Sequence, residues 1–412
     1  MLTSANILKQ YSRYCLYLLL AAGILPVRAG ENRWAAARQG IDSLLLHHPV
    51  MRQASCGIMV YDATDDSVVY RHEEQKSHRP ASTTKLFTCA AALKYLSGSY
   101  CFRTSLYSTG KIRRKHIAGR RIHILKGNLF VKGCFDPAFS SNDLDSLVAT
   151  LKNQGIDSIT GNLYADVSMK SRTLGGNGWC WDDTGDDFPL LHPLVMDKDT
   201  MLMTELPTRL RQAGIGFSGS IGDSICPARK RLMAEKCRRL SDLLPHCLKT
   251  SDNRYAESFL YQLGTLTETA YPPTATSLGY VNRMIDSLGV DRKTYHLVDG
   301  SGLSPYNYIT PETEVALLKH IWKECRFYDE FRSALPIGGI DGTLGNRMHG
   351  TAAEGKVYAK TGSLTGTYAL AGYAYSREGH LLIFSIMNDG VTTGDGNNAR
   401  RMQDEILHFL CQ

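Results

Sequence analysis

The 412-residue chain contains no C-x-x-C pair, no paired Cys/His spacing and no H-E-x-x-H. A zinc module, a thioredoxin-type redox pair and a zinc protease are therefore excluded, because each needs its ligands or thiols at those offsets. The phosphate loop fails too. Gly350-Thr-Ala-Ala-Glu-Gly-Lys356 has the glycines and the lysine, but Val357 stands where a magnesium-binding Ser or Thr belongs. Ser218-Gly-Ser-Ile-Gly222 puts a serine where a nucleophile elbow needs glycine, and "WDDTGDD" at 181–187 lacks the spacing of a calcium loop. Internal repeats and low-complexity tracts are missing. No cofactor or metal is expected. The formal charge of +7 is too mild to argue for nucleic acid.

The one long apolar run lies at the start. Lys9 and Arg13 precede "YCLYLLLAAGILPV", and Val27-Arg28-Ala29 offers small residues for cleavage. The run is shorter than the ~20 residues of a spanning helix, so residues 1–29 are expected to be a signal peptide, with an uncleaved anchor as the alternative. Cys15 lacks the small residues that precede a lipoprotein cysteine. The mature protein is then exported, with the periplasm as its expected place and no stable membrane span. Lys9, Arg13 and Arg28 leave with the leader and no acid does, which brings the charge to +4. Such a compartment permits disulfides among cysteines 56, 89, 101, 134, 180, 226, 237, 247, 325 and 411, with their pairing open. Cys89 lies on an apolar helix face and reads as packing.

The rest is organised by period. A short helix near 34–46 is followed by "CGIMVYDATDDSVVYRHE", two strands around an Asp-rich turn, and then by an apolar helix ending near Gly98. From 101 to 185 short β-like runs alternate with turns and one helix, "SNDLDSLVATLKNQG". From 200 the pattern is helical again, closing with the strand-like "TYALAGYAYS" and "LLIFSIMND". These textures predict one domain from 30–100 and 186–412, interrupted by a β-rich module at 101–185. The run 111–126 carries seven Lys/Arg and no acid, the composition of a solvated hairpin or of a surface drawn to an anionic polymer.

Three triplets carry chemistry. Ser82 and Lys85 are one helical turn apart, so both side chains project from one face. A serine hydroxyl needs a base, and a lysine can serve if burial depresses its pKa. The helix N-terminus adds N–H groups where an oxyanion would form. Ser108-Thr-Gly-Lys111 has the same spacing but reads as a turn, because Gly110 and the basic run leave it no apolar helix. "KTSDNRYAES" supplies Ser251-Asp252-Asn253, and "YAKTGSLTGTYALAGY" supplies Lys360-Thr361-Gly362 at the start of a strand. Asn253 can hold a substrate amide, Ser251 can relay a proton, and Lys360 with Thr361 can receive a carboxylate. Gly362 lets a substrate backbone approach. S-x-x-K, S-D-N and K-T-G in this order describe serine β-lactamases and penicillin-binding proteins.

With "GNLFVKGCFDPAF", "ITGNLYADVS", "GNGWCWDD", "VDGSGLSPYNYITP" and "LPIGGIDGTLGNR" added, residues from about 50 to 405 resemble the class C penicillin-binding proteins, the D-alanyl-D-alanine carboxypeptidase/endopeptidases. The resemblance implies an α/β (α+β) transpeptidase-like domain, an antiparallel sheet between helices, interrupted by an inserted β-rich domain. It implies that Ser82 attacks the carbonyl between two terminal D-alanines of a peptidoglycan stem peptide, with Lys85 as base, and that β-lactams are covalent inhibitors. Ser251 and Lys360 would complete the proton path, and Asn253 and Thr361 would hold substrate. The oxyanion would lie between the N–H groups of Ser82 and Ser363. The W-x-W-x-D aspartate of relatives aligns with Asp183 and would meet the free amine of the diamino acid. There are two departures. A third domain common in relatives is replaced by about 15 residues after that segment, and Pro305 stands where arginine is frequent. A β-lactamase-like hydrolase and a non-catalytic wall-binding scaffold are the alternatives. The first would need a deacylating base, and no Glu-x-x-x-Asn follows Ser251. The second would fail to attach a labelled penicillin.

Overall fold

The closing strand-like runs are apolar at nearly every position because both of their faces are covered. In Thr367–Tyr375, Ala369, Ala371 and Tyr373 point into one cluster and Leu370 and Ala374 into another. In Leu381–Asp389, Ile383 and Met387 oppose Leu382, Phe384 and Ile386 in the same way. The computed structural model of the chain describes residues 33–412 apart from 118, 184 and 186. The leader expected at 1–29 lies outside the described residues. The central sheet has five strands, all antiparallel, in the order Val357–Leu364, Thr367–Tyr375, Leu381–Asp389, Ser55–Asp62 and Ser67–His72. Helices Ala35–His47 and Gly396–Cys411 cover one face through Ile41, Ile406 and Leu410. The other face meets helices Thr84–Leu96, Asn253–Gly264 and Pro311–Glu324 through Leu86, Phe259 and Leu317. The fold is the mixed α/β class with an antiparallel sheet between helices. No described helix is long and apolar enough to cross a membrane.

The strand-rich module leaves this domain after the Thr84–Leu96 helix. Its strands form a five-stranded sheet (Ile221–Asp223, Leu163–Asp166, Leu129–Lys132, Cys101–Ser108, Arg231–Arg239) and a four-stranded one (Gly216–Phe217, Ser158–Ile159, Arg120–Lys126, Lys111–Ile117). Helix Ser141–Asn153 starts at a capping box in which Ser140 and Asp143 satisfy each other's backbone N–H groups. The boundary expected at 185 is corrected by the pairing. Arg231–Arg239 runs antiparallel to Cys101–Ser108, and helix Leu202–Gln212 buries Leu206 and Leu210 with Leu144 and Leu163. We therefore place the module at 101–239. A disulfide joins Cys101 to Cys237 across its first and last strands. The chain then re-enters the main domain through helix Leu240–Lys249, whose Leu240, Leu243 and Leu244 belong to the main core. The other eight cysteines of the described residues are free, and Cys89 is buried in the core as expected.

Cross-linking the neck of an insertion removes loop entropy from the unfolded chain. Replacing Cys101 and Cys237 together by alanine should lower stability by about 2–4 kcal/mol in urea or thermal unfolding. An unchanged midpoint would show that the bridge does not constrain the module.

Candidate active site

Three elements converge on one cleft of about 600 Å³, lined among others by Ser82, Ser251, Asn253, Thr361, Ser363 and Asp183. Ser82 sits in the one-turn helix Ala81–Thr83 that leads into Thr84–Leu96. Ala81 before it has φ +48°, a left-handed conformation that non-glycine residues adopt only when the surroundings over-determine it. Those surroundings are two glycines. A Cβ at Gly302 would stand 1.8 Å from the Ala81 carbonyl oxygen, and one at Gly362 would stand 2.4 Å from that of Pro80. Glu314 supports the turn from below. Its buried carboxyl accepts hydrogen bonds from the hydroxyls of Thr83 and Ser385, and burial pushes its pKa up to about 7.

Lys85 is fully buried. Its Nζ lies 2.9 Å from Ser82 Oγ, 2.7 Å from Asn253 Oδ1 and 2.7 Å from the Ser301 carbonyl oxygen. The orientation of the Asn253 amide follows from its other end, where Nδ2 donates to the Asp187 carbonyl at 2.8 Å. Two of the three neighbours of Lys85 can therefore only accept. A neutral amine has two N–H groups for them and one lone pair, which faces the serine hydroxyl. Burial holds the pKa of Lys85 below the ordinary lysine value, with Cys247, Asp299 and Glu257 opposing the shift.

Ser251 precedes the helix Asn253–Gly264, at φ +64°, and Asp252 caps that helix by accepting from the Tyr255 N–H. Lys360 reaches Ser251 Oγ at 2.8 Å and the Thr361 carbonyl at 2.8 Å. It lies in the middle of Val357–Leu364 and not at its start, on the outermost strand of the sheet. Burial, and then the charge of Lys85, push its pKa far below the ordinary lysine value. The structure thus brings two hydrogen-bonded groups to one cleft, Ser82–Lys85–Asn253 and Ser251–Lys360, with Thr361, Gly362 and Ser363 along the edge. Ser108 stays in the module, accepting from the Gly110 N–H in a turn.

Residues without a local signature complete the site. Glu257, one turn into the S-D-N helix, accepts from the N–H groups of Gly300 and Ser301 at 2.9 and 2.8 Å. Burial and the neighbouring Asp299 push its pKa up to about 8. Asp299 accepts from the N–H groups of Gly302 and Ser304, from Asn307 Nδ2 and from Trp179 Nε1. The loop that presents the Ser301 carbonyl to Lys85 is held by these two carboxylates. A glutamate on the buried face of "NRYAESFLYQLG" was the available signal for the first. Thr343 accepts from the Thr361 hydroxyl at 2.8 Å.

The segment 177–183 is tied to the same loop. Asn177 Nδ2 donates to the Val298 carbonyl and Ser304 Oγ to that of Gly178, besides the Trp179–Asp299 bond. Asp183 is half-buried at the cleft, with Oδ2 accepting from the Cys180 N–H at 2.6 Å. Pro305 borders the same cleft.

Residues 37–190 and 191–410 match the D-Ala-D-Ala carboxypeptidase 3 (S13) family. A D-alanyl-D-alanine carboxypeptidase of Actinomadura sp. (strain R39) is 29% identical over 90% of this chain and 84% of its own. The D-alanyl-D-alanine carboxypeptidase DacB of Haemophilus influenzae is 26% identical over 83% of this chain and 87% of its own. The crystal structure of penicillin binding protein 4 (dacB) from Haemophilus influenzae superimposes with a TM-score of 0.79 at 25% identity, covering 89% of this chain and 97% of that one. That protein has also been solved in complex with a novel β-lactam.

A base that must be neutral works only above its pKa. The rate at which a labelled penicillin acylates the enzyme should rise with pH along a limb lying below the ordinary lysine value of ~10.4 and then level off. Lys85→Arg keeps the cation without a usable lone pair, and should lower the rate by about 10²–10⁴-fold at every pH. A pH-independent rate, or near-normal acylation of the arginine variant, would rule Lys85 out as the base.

Proposed function

The chain belongs to the D-Ala-D-Ala carboxypeptidase 3 (S13) family, and on that footing we propose that Ser82 is its acylated nucleophile and that its substrates are peptidoglycan stem peptides. The observation that carries this reading is the 2.9 Å approach of Lys85 Nζ to Ser82 Oγ inside a cage of acceptors. The chemistry is that of a serine-type carboxypeptidase. Lys85 accepts the hydroxyl proton as Ser82 Oγ adds to the carbonyl between the terminal D-alanines. The developing oxyanion lies between the N–H groups of Ser82 and Ser363. The proton passes through Ser251, poised by Lys360, to the leaving amine. D-Alanine departs, and water resolves the acyl-serine. Asn253 holds the substrate amide, Thr361 and Ser363 receive the terminal carboxylate, and Gly362 leaves the strand open to the peptide backbone. When the bond lies in a cross-bridge, the same steps make an endopeptidase. β-Lactams acylate Ser82 in place of the peptide. Residues 1–29 address the enzyme to the periplasm. No nucleic acid or cofactor has a part in the reaction.

Asp183 reads the substrate in this proposal. A carboxylate beside a cleft favours a cationic group and is costly when left unpaired. Its Oδ1 makes no hydrogen bond among the described residues, and its Oδ2 is fixed by the Cys180 N–H. The free amine of a diamino acid in the stem peptide is the natural counter-ion, and with Pro305 offering no charge the amine contact carries more of the selectivity.

Two outcomes test the reading. Incubation with penicillin should add one acyl group to the peptide containing Ser82, and Ser82→Ala should lose both the adduct and the release of D-alanine from stem peptides. An adduct that persists in the alanine variant would refute the assignment. Asp183→Asn should weaken kcat/KM by about 1–3 kcal/mol for peptides with a free side-chain amine, the range for a lost charge-assisted contact. Acetylated peptides and penicillin should react as before, whereas equal losses on both peptides would mean that Asp183 supports the fold.

A further inference from the structure

The module contains a buried cation that the reaction does not use. Lys170 is 1% exposed, and its Nζ donates to the Ser171 carbonyl at 2.7 Å, to that of Thr173 at 2.6 Å and to that of Leu191 at 3.1 Å. The ammonium also stands 4.7 Å over the ring of Tyr261. Among the described residues no carboxylate touches it. An ammonium taken out of water without a counter-ion is unfavourable, and burial lowers its pKa to about 8, with Glu257 opposing. A methionine would fill such a place more cheaply unless the three carbonyls require a donor.

Those carbonyls have a common property. Ser171 and Thr173 stand at the start of the segment 171–191, and Leu191 stands at its end. One atom therefore closes the mouth of a loop that carries Trp179, Cys180, Asp183, Asp187 and Phe188, and the last four of these line the cleft. The ring beneath the ammonium belongs to the helix Asn253–Gly264, whose first residue contacts Lys85. Around it, Phe135, Met169, Leu191, Val195 and Tyr261 form a small buried cluster of their own. The far end of the loop is held by the Trp179–Asp299 and Ser304–Gly178 bonds. Lys170 is the buried tie at the near end, where it joins the two ends of the loop to each other, beside the Ser171 N–H bond to the Pro272 carbonyl and the exposed Arg172–Tyr271 bond.

We infer that Lys170 is a positioning residue for substrate selection, fixing the 171–191 loop so that Asp183 stands where the side-chain amine of the peptide arrives. The inference rests on the reading of Asp183 given above. Displacement of a binding group by about an ångström is enough to change reactivity substantially. Lys170 itself never meets the substrate.

The test compares Lys170→Met, Asp183→Asn and the double variant on a D-Ala-D-Ala peptide with a free side-chain amine and on its acetylated counterpart. Penicillin acylation measures the fraction of competent enzyme. Lys170→Met should raise KM for the amine peptide about tenfold, with kcat within about twofold. The acetylated peptide and penicillin should be unaffected, and the double variant should be no worse than Asp183→Asn. An unchanged KM, an equal loss on both peptides, or additive losses in the double variant would overturn the inference. If Lys170→Met yields no acylable protein, Lys170→Gln, which keeps a donor, should show a smaller rise of KM with the same selectivity. Failure of both variants to react with penicillin would make Lys170 a folding residue and would likewise overturn it. If Asp183→Asn itself shows no selective loss, the reading of Asp183 has failed. If it does and Lys170→Met does not, only the present inference has failed.

Discussion

Two lysine side chains are buried at the centre of this molecule, and among the described residues no carboxylate is in contact with either. Lys85 meets a serine hydroxyl, an amide oxygen and a backbone carbonyl, and Lys360 meets a serine hydroxyl and a backbone carbonyl. Two unpaired ammonium groups cannot both be kept dry and near each other. Burial lowers the pKa of both, that of Lys360 the further, and in the function proposed above Lys85 gives up its proton in the active enzyme, so that its lone pair faces Ser82. Much of the surrounding structure serves to maintain that condition. A carboxylate in contact with Lys85 would hold it as a cation and remove the base.

Carboxyl groups are therefore placed one step further out. Glu257 and Asp299 are both buried, but they bind backbone N–H groups of the 300–304 loop, and it is the loop that presents a carbonyl to Lys85. The same Asp299 holds Trp179, so the loop that poises the base also anchors the segment carrying Asp183. In the function proposed above, chemistry and substrate recognition share one support. The nucleophile turn is squeezed between Gly302 and Gly362 in a backbone conformation that any side chain at either place would disturb. Strain at Ala81 and Ser251 is retained at the two serines of the site, where a relaxed helix or strand would point the hydroxyls elsewhere.

The central domain was legible in the sequence because its signals are local. The closing strands are short, nearly continuous apolar runs buried on both faces, and the three motifs carry their chemistry within four residues each. The structure brings those triplets together across intervals of more than a hundred residues. The end of the module was not legible. Arg231–Arg239 is a polar edge strand that buries little beyond Met233 and Ala234, and the parallel strands at 216–217 and 221–223 are too short to show a period. A reader of patterns therefore closes the module at 185, before its last helix and strands. Glu257, Asp299 and Lys170 escaped for a related reason: each acts on backbone groups, which have no sequence signature. A buried charge can be suspected from an apolar helix face, but its partners belong to the fold.

The central claim is that Lys85 is neutral while the enzyme is active. Its direct measurement is an NMR titration of the lysine side chains labelled with ¹³C at Cε, with the Lys85 resonance assigned by its loss in Lys85→Arg. The account predicts a resonance that changes from cation to amine well below the ~10.4 of an ordinary lysine, at the same pH as the limb of the acylation rate. A Lys85 that stays protonated up to the ordinary value, while Ser82 is acylated at full rate below it, would contradict the account.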